Sequence, residues 1–320
     1  MVCNFCFQVF RSAVLGDLLF SNLTRFFAWF AFLLLICVLF SLCVASYPSI
    51  QAFGFHFLTS DAWDPVQGHF GALSAVCGTL MTSLIAMVLG VPLSLGIAVF
   101  ISEMSQGKIS KTVRTLIDLM AGIPSIIYGM WGLLVLAPFL SNYVQPYISD
   151  AVQGIPILDN LFGGPPLGIG IFTAGLILAI MIIPYISSTL IDMFRSVPAV
   201  LKEAAYGVGA TRFEVVRKVI VPYVRKGMIG SIMLGLGRAL GETMAVTFVI
   251  GNSKFLTTSL FMPGTTISAS IANEFNEATG VLYPASLLEL GMILFVLSFL
   301  ILAFARLFLL RIDRKKAGAK

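Results

Sequence analysis

Residues 169–190 read IGIFTAGLILAIMIIPYISSTL, and none of these side chains carries a charge. A helix rises about 1.5 Å per residue, so a run of this length can cross the hydrocarbon core of a bilayer, which is about 30 Å thick. Uncharged apolar runs of about 18 or more residues are typical of transmembrane helices. This stretch therefore predicts a membrane-spanning helix.

The composition of the whole chain agrees with a membrane protein. Hydrophobic residues make up 58% of the 320 residues and charged residues 11%, whereas soluble domains average about 25% charged residues. Six apolar stretches are long enough to span a bilayer, so we predict an all-α polytopic membrane protein with six transmembrane helices. The predicted spans are 26–47, 73–101, 115–141, 169–192, 228–252 and 284–310.

Basic residues divide the connecting segments into two groups. The segments 48–72 and 142–168 contain no lysine or arginine, and 253–283 contains only Lys254. The segments between spans two and three and between spans four and five are basic, as is the tail 311–320. Because cytoplasmic loops carry the excess of Lys and Arg, the three segments 48–72, 142–168 and 253–283 are predicted to be external loops and both termini to be cytoplasmic. The formal net charge of +5 is thus a topology signal, and we predict no nucleic-acid partner.

The most informative connecting segment is 195–226, RSVPAVLKEAAYGVGATRFEVVRKVIVPYVRK. Pro198 is well placed to open a short helix, which a glycine turn then ends. Thr211 with Glu214 three residues later predicts a capping box that opens a second helix, and Pro222 should bend or end that helix. Attraction to anionic lipid explains the basic residues, but the small alanine side chains favour docking of a protein partner.

The fifth predicted span places two charges among apolar residues, in GLGRALGETMA at 235–245. Arg238 and Glu242 are four residues apart, so on a continuous helix they lie on one face and can pair. An arginine near the bilayer centre costs about 2.5–3.5 kcal/mol, so this face should turn towards the bundle interior. Ser231 and Asn252 fall on the same predicted stripe.

Two interpretations of Arg238 and Glu242 stay open on the residues alone. The first is a buried ion pair that holds two helices together. The second is an anion site, because a guanidinium presents a fork that matches a tetrahedral oxyanion. In that case Glu242 would occupy Arg238 when the site is empty and would weaken the hold on the anion when it is full. Gly237 and Gly241 would allow close helix contact beside the pair.

The segment 195–226 resembles the EAA loop of ABC-importer permeases, whose pattern is E-A-A-x3-G-x9-I-x-L-P. The matching residues here are Glu203, Ala204, Ala205, Gly209 and Pro222, with Val219 and Val221 in place of Ile and Leu. The resemblance implies a type I permease core over 70–310, with this loop as the coupling helix seated in a separate ATPase subunit. No G-x-x-x-x-G-K-[ST] motif occurs, so the chain is not expected to hydrolyse ATP itself.

Residues 235–252, GLGRALGETMAVTFVIGN, resemble the fifth span of permease subunits of the phosphate-specific importers, in particular the PstC type. The resemblance implies a permease of the bacterial inner membrane that imports inorganic phosphate, with Arg238 and Glu242 on the path of the anion. The implied partners are a sister permease subunit in a heterodimer, two copies of an ATPase subunit, a periplasmic phosphate-binding protein and a phosphate-sensing kinase.

Two alternatives to a phosphate importer stay open at this point. An ABC permease for sulfate or molybdate would carry the same EAA loop, and a membrane subunit that reports phosphate availability would carry the same spans. The sequence offers no paired catalytic carboxylates and no nucleophile–base spacing, so no enzyme is expected. Cys3 and Cys6 form a lone C-x-x-C without a nearby histidine, so neither a metal site nor a cofactor is predicted. Residues 1–25 are predicted as a cytoplasmic lead, either a short surface helix or disordered.

Overall fold

The computed structural model describes the backbone of residues 2–105 and 107–317, and the side chains of 16–307 apart from those of residues 18, 106 and 156. The side chains of Cys3, Cys6 and the predicted basic tail lie outside this description. Throughout the described backbone the regular structure is helical, apart from one β-bridge between Asp64 and His69.

The helices follow one another with short connections. In chain order they are α1 (Val2–Phe53), α2 (His56–Thr59), α3 (Leu73–Val99), α4 (Lys108–Ala121), α5 (Ser125–Trp131), α6 (Ala137–Phe139), α7 (Gln145–Val152), α8 (Pro156–Phe162), α9 (Ile171–Arg195), α10 (Ala199–Gly207), α11 (Arg212–Val215), α12 (Val221–Gly241), α13 (Met244–Val249), α14 (Ile267–Glu274) and α15 (Leu282–Ala317). Four π-helical stretches extend or join them, namely Phe100–Met104, Gly132–Leu136, Leu140–Val144 and Val216–Ile220.

Six helical stretches in the described residues are long and apolar enough to cross a membrane, which confirms the predicted all-α fold. They are Leu19–Phe53, Leu73–Met104, Ser125–Val152, Ile171–Arg195, Arg212–Gly241 and Leu282–Leu307. We call the end of the bundle that holds 54–72, 142–170 and 250–281 the loop end. The opposite end, which holds 105–124 and 196–220, is called the basic end.

Helix α9 is the centre of the bundle. It packs against α3, α4, α12 and α13, and most of its residues are buried. Two glycines let its neighbours approach closely: a Cβ added at Gly175 would lie 2.6 Å from Ile85 of α3, and one at Gly235 of α12 would lie 2.5 Å from Ile186. Helix α1 packs mainly against α15 and is peripheral. The centre of the bundle is therefore built from α3, α9 and α12.

The first and third spans differ from their predicted bounds. Helix α1 begins at Val2, so the backbone of the predicted lead is helical and continuous with the first span. The predicted third span, 115–141, is wrong at its start, because α4 is a separate amphipathic helix and the span begins at Ser125. Pro124 is extended, with φ −57° and ψ 139°, and its ring and missing N–H prevent α4 from continuing through it.

The fifth span also differs from its prediction, at both ends. Pro222 lies in the first turn of α12, and the π-helical stretch Val216–Ile220 joins α12 to α11, so the second helix of the 195–226 segment runs on into the span. At the other end α12 stops at Gly241, and α13 begins only at Met244. The predicted continuous helix 228–252 was therefore wrong.

The segment after the fifth span, predicted as an external loop over 253–283, folds back into the bundle. Residues 264–270 are buried, and α14 begins where the Thr266 side chain accepts a hydrogen bond from the Ala269 amide. The Ile267 amide donates to Thr79 Oγ1 of α3 at 3.0 Å. Serine and threonine here satisfy backbone groups inside the protein, so a polar composition did not mean a solvated loop.

Candidate functional site

Arg238 lies in the last turn of α12, where its guanidinium rests on the ring of Tyr185 from α9. The guanidinium carbon is 4.1 Å from the ring centroid, within the range of an attractive cation–π contact. Nε is buried and has no hydrogen-bond partner among the described residues. No described carboxylate forms an ion pair with this guanidinium. Arg238 is therefore a cation inside a membrane bundle, held by an aromatic face and not neutralised.

The tyrosine beneath Arg238 also fixes the junction between α4 and α5. Its hydroxyl donates to the carbonyl of Ala121 at 2.9 Å, and the hydroxyl of Tyr128 donates to the carbonyl of Met120 at 2.9 Å. Both acceptors are terminal carbonyls of α4, which have no partner within their own helix. Sequence reasoning missed Tyr128 and Tyr185; the available signal was a tyrosine in an apolar span, whose hydroxyl needs a partner when buried.

Glu242 does not pair with Arg238, which corrects the predicted i, i+4 contact. It lies just past the end of α12 with φ −69° and ψ 131°, so the helical geometry that would have aligned the two side chains is lost. Its Oε1 instead accepts a hydrogen bond from the Ala245 amide at 3.4 Å, at the start of α13. The GET sequence thus forms the break between two helices.

The other residues of the predicted stripe separate at this break. Ser231 shares with Arg238 the face of α12 that packs on α9, and its hydroxyl donates to the carbonyl of Ile186 at 3.1 Å. Asn252 lies beyond α13 at φ +53°, and its buried Oδ1 has no partner among the described residues. The structure therefore brings Ser231, but not Asn252, onto the helix face of Arg238.

The predicted glycine contact is displaced as well. A Cβ at Gly241 would meet nothing within 4 Å, and one at Gly237 would meet only Leu302 at 3.8 Å. The close approach of α12 to α9 occurs instead at Gly235, as described above. Gly237 and Gly241 leave a smooth, unfilled surface beside Arg238.

Two lysines are also largely buried, and each has a carboxylate. At the basic end, Lys202 Nζ of α10 lies 2.5 Å from Glu103 Oε1, with side chains that are 19% and 8% exposed. At the loop end, Lys254 forms an ion pair with Glu274. Glu274 accepts two further hydrogen bonds, from Trp63 Nε1 and from the Tyr283 hydroxyl, each at 2.7 Å. Burial lowers the pKa of Lys254, and the hydrogen bond and charge of Glu274 oppose that shift.

Helix α10 presents an open surface at the basic end. None of its residues is fully buried, and it carries Glu203 and Ala204 exposed beside the half-buried Ala205. The apolar side chains of Val200 and Val208 are 72% and 86% exposed. These exposed apolar side chains and small alanines leave the surface of α10 accessible to a protein partner.

The turn that follows α10 forms as predicted. Gly209 adopts φ +85°, the left-handed conformation that favours glycine. The predicted capping box is confirmed: the Glu214 amide donates to Thr211 Oγ1 at 3.4 Å, and the Thr211 amide donates to Glu214 Oε2 at 3.1 Å. The turn therefore holds α10 at an angle to the helix that leads into the fifth span.

Comparison with known proteins now gives the family. Residues 90–314 match the family model described as "Binding-protein-dependent transport system inner membrane component". The chain belongs to this family. The match begins within α3 and leaves out α1, the peripheral helix of the bundle.

Relatives at high identity carry one name. "Phosphate transport system permease protein PstC" of Mesorhizobium japonicum is 54% identical over 305 residues, which cover 95% of this chain and 93% of the relative. The protein of the same name from Pasteurella multocida is 51% identical over 300 residues, which cover 94% of this chain and 93% of the relative.

Among solved structures, a bacterial alginate ABC transporter in complex with alginate-bound periplasmic protein matches with a TM-score of 0.56 at 19% identity. The match covers 89% of this chain and 94% of that chain. At that identity the likeness shows the fold alone. This binding-protein-dependent transport component is thus a multi-pass membrane protein with an ABC-permease fold.

Proposed function

We propose that this chain is a permease subunit of an ATP-driven, binding-protein-dependent phosphate importer and forms half of its translocation path. Its two relatives at 54% and 51% identity are named as phosphate permeases. The observation that carries the proposal is the state of Arg238, a cation within the bundle that has no carboxylate partner among the described residues.

The chemistry of Arg238 suits an oxyanion that must bind and then leave. A guanidinium can donate two parallel hydrogen bonds to a phosphate, and these are strong because both partners are charged. The Tyr185 ring holds the cation without neutralising it. Glu242, one turn further along and engaged with the Ala245 amide, supplies a negative charge near the path that limits how tightly the anion is held.

The exposed helix α10 supports docking of a separate ATPase. It offers Glu203, small alanines and exposed apolar side chains on a helix that is fixed by a capped turn. The complete transporter then contains this chain, a sister permease, two ATPase subunits and a phosphate-binding protein. This chain itself does not hydrolyse ATP.

The distribution of charge supports an orientation in the bacterial inner membrane. The basic end carries most Lys and Arg residues of the connecting segments, so it faces the cytoplasm, and both termini lie on that side. The loop end then faces the periplasm, where the binding protein delivers the anion.

The test is uptake of labelled phosphate by cells that carry Arg238→Gln or Glu242→Gln, with membrane levels checked by blot. We expect both variants to lose uptake at normal protein level, while Arg306→Gln, an exposed arginine on α15, keeps it. Uptake that unlabelled sulfate or molybdate suppresses more strongly than phosphate would show a different oxyanion. Normal uptake by both variants would mean that the two charges serve the fold alone.

A further inference from the structure

The buried ion pair Lys202–Glu103 joins two elements that are remote in sequence. Lys202 lies on α10, next to Glu203, and Glu103 lies on the π-helical stretch Phe100–Met104 that ends the second span. Lys202 Nζ also donates to the carbonyl of Phe194, in the last turn of α9, at 3.3 Å. One ammonium group therefore connects α10 to the ends of two membrane spans.

Neighbouring hydrogen bonds extend this connection at the basic end. The hydroxyl of Ser110, at the start of α4, donates to the carbonyl of Ile101 at 3.0 Å. Arg195 Nη2 at the end of α9 donates to the same hydroxyl at 3.4 Å. The ends of the second and fourth spans and the start of α4 thus form one polar cluster, and Lys202 is its link to α10.

Helix α10 has few other contacts with the second and fourth spans. None of its residues is fully buried, and its main helix contacts are with α11 and the π-helical stretch Val216–Ile220, which lead into the fifth span. The second and fourth spans, by contrast, make the most extensive helix contact in the described bundle. The fourth span also carries Tyr185, on which Arg238 rests. A displacement of α10 can therefore reach Arg238 through Lys202, Glu103 and these two packed spans.

We infer that Lys202 and Glu103 are positioning residues that transmit movement of α10 to the second and fourth spans, and so couple ATP hydrolysis to anion movement. The inference rests on the proposed function, because it needs an ATPase that moves α10. The π-helical geometry at Glu103 supports it, since such stretches interrupt the regular hydrogen-bond ladder and recur at functional sites. Coupling of this kind needs a demonstrated energetic link, which the following variants measure.

The experiment uses the assembled transporter in proteoliposomes and measures phosphate taken up per ATP hydrolysed. The variants are Glu103→Gln, Lys202→Met and the exchanged pair Glu103→Lys with Lys202→Glu. Lys218→Met is the matched control, because Lys218 pairs with Glu214 at 2.8 Å on an exposed surface within one helical stretch. Glu203→Lys is the docking control, in which the ATPase should no longer co-purify.

We expect the two single variants to keep the ATPase and its hydrolysis, while phosphate moved per ATP falls about tenfold. The exchanged pair should recover most of the loss, which separates pairing from a failure to fold, and Lys218→Met should resemble the wild type. An unchanged ratio in both single variants, or loss of the ATPase as in Glu203→Lys, would overturn the inference alone. Absence of phosphate uptake by the wild-type complex would overturn the proposed function, and the inference with it.

Discussion

Arg238 and the two buried lysines face the same physical problem in different surroundings. A cation removed from water is destabilised unless another group compensates for its charge. Lys202 and Lys254 lie at the two ends of the bundle, and each has a carboxylate from another structural element. Arg238 lies within the fifth span and has, among the described residues, only the face of Tyr185.

The lysines and Arg238 therefore differ in whether a soluble ion can bind to them. An ion pair between two protein groups fixes both of them and leaves no room for a soluble ion. A cation–π contact contributes about 0.5–2 kcal/mol, whereas each hydrogen bond to a charged group contributes about 1.5–3 kcal/mol. An oxyanion that accepts two hydrogen bonds from Arg238 can therefore displace the ring. The lysines hold elements of the fold together, and the arginine is available to a ligand.

Breaking the loop-end pair should give the largest effect. Glu274→Ala leaves the Lys254 ammonium, the Trp63 indole N–H and the Tyr283 hydroxyl without their common acceptor. Removing one partner of a buried ion pair costs about 3–5 kcal/mol. The Lys254 side chain is 24% exposed, so we expect a loss at the lower end, about 3 kcal/mol, in the free energy of unfolding measured in detergent.

The control for this change is Glu277→Ala, an exposed carboxylate three residues further along the same segment. Its substitution should alter the free energy of unfolding by less than about 0.5 kcal/mol. Equal stability of the two variants would mean that Lys254 does not need its carboxylate. The distinction between lysines that need a carboxylate and an arginine that does without one would then be wrong.

Exchanging the two kinds of cation sharpens the comparison. Arg238→Lys should lower phosphate uptake about ten- to a hundredfold at normal membrane level, because an ammonium cannot reproduce the guanidinium fork and loses about one charged hydrogen bond. Lys202→Arg is the reverse change and should keep nearly normal uptake, since an arginine can still pair with Glu103. Unchanged uptake by Arg238→Lys would assign Arg238 to helix packing.

The fold was largely predictable because each deciding signal was local. Apolar runs longer than a bilayer is thick predicted six spans, and Thr211 with Glu214 predicted a cap that the structure confirms. The error at the end of the fifth span arose because the local signal was weak. Gly241 and Thr243 do not forbid a helix. The apolar pattern therefore predicted one continuous fifth span, although α12 ends between Arg238 and Glu242.

The site was predictable only in part, because its contacts join residues that are far apart in the chain. The charge of Arg238 in an apolar span marked it as a candidate functional residue, whatever its partner. Its partner, Tyr185, lies on another helix, and Glu103, the partner of Lys202, lies at the end of another span. No periodicity or spacing within one segment specifies such pairs, since they depend on how separate helices pack together, as α9 and α12 do at Gly235.

The smallest predicted effect tests whether Tyr185 competes with the anion for Arg238. Tyr185→Leu removes the ring, so the guanidinium should hold phosphate more tightly. Because the lost contact contributes about 0.5–2 kcal/mol, we expect the KM for uptake and the maximal rate of uptake both to fall several-fold. Tyr185→Phe keeps the ring and loses only the hydrogen bond to Ala121, so its KM should stay at the wild-type value while stability falls by about 1 kcal/mol. If Tyr185 had a purely structural role, both variants would lose stability and their KM values would not differ in this way. A raised KM in Tyr185→Leu would instead mean that the ring orients the guanidinium towards the anion, and that Arg238 needs Tyr185 in the occupied state as well as in the empty one.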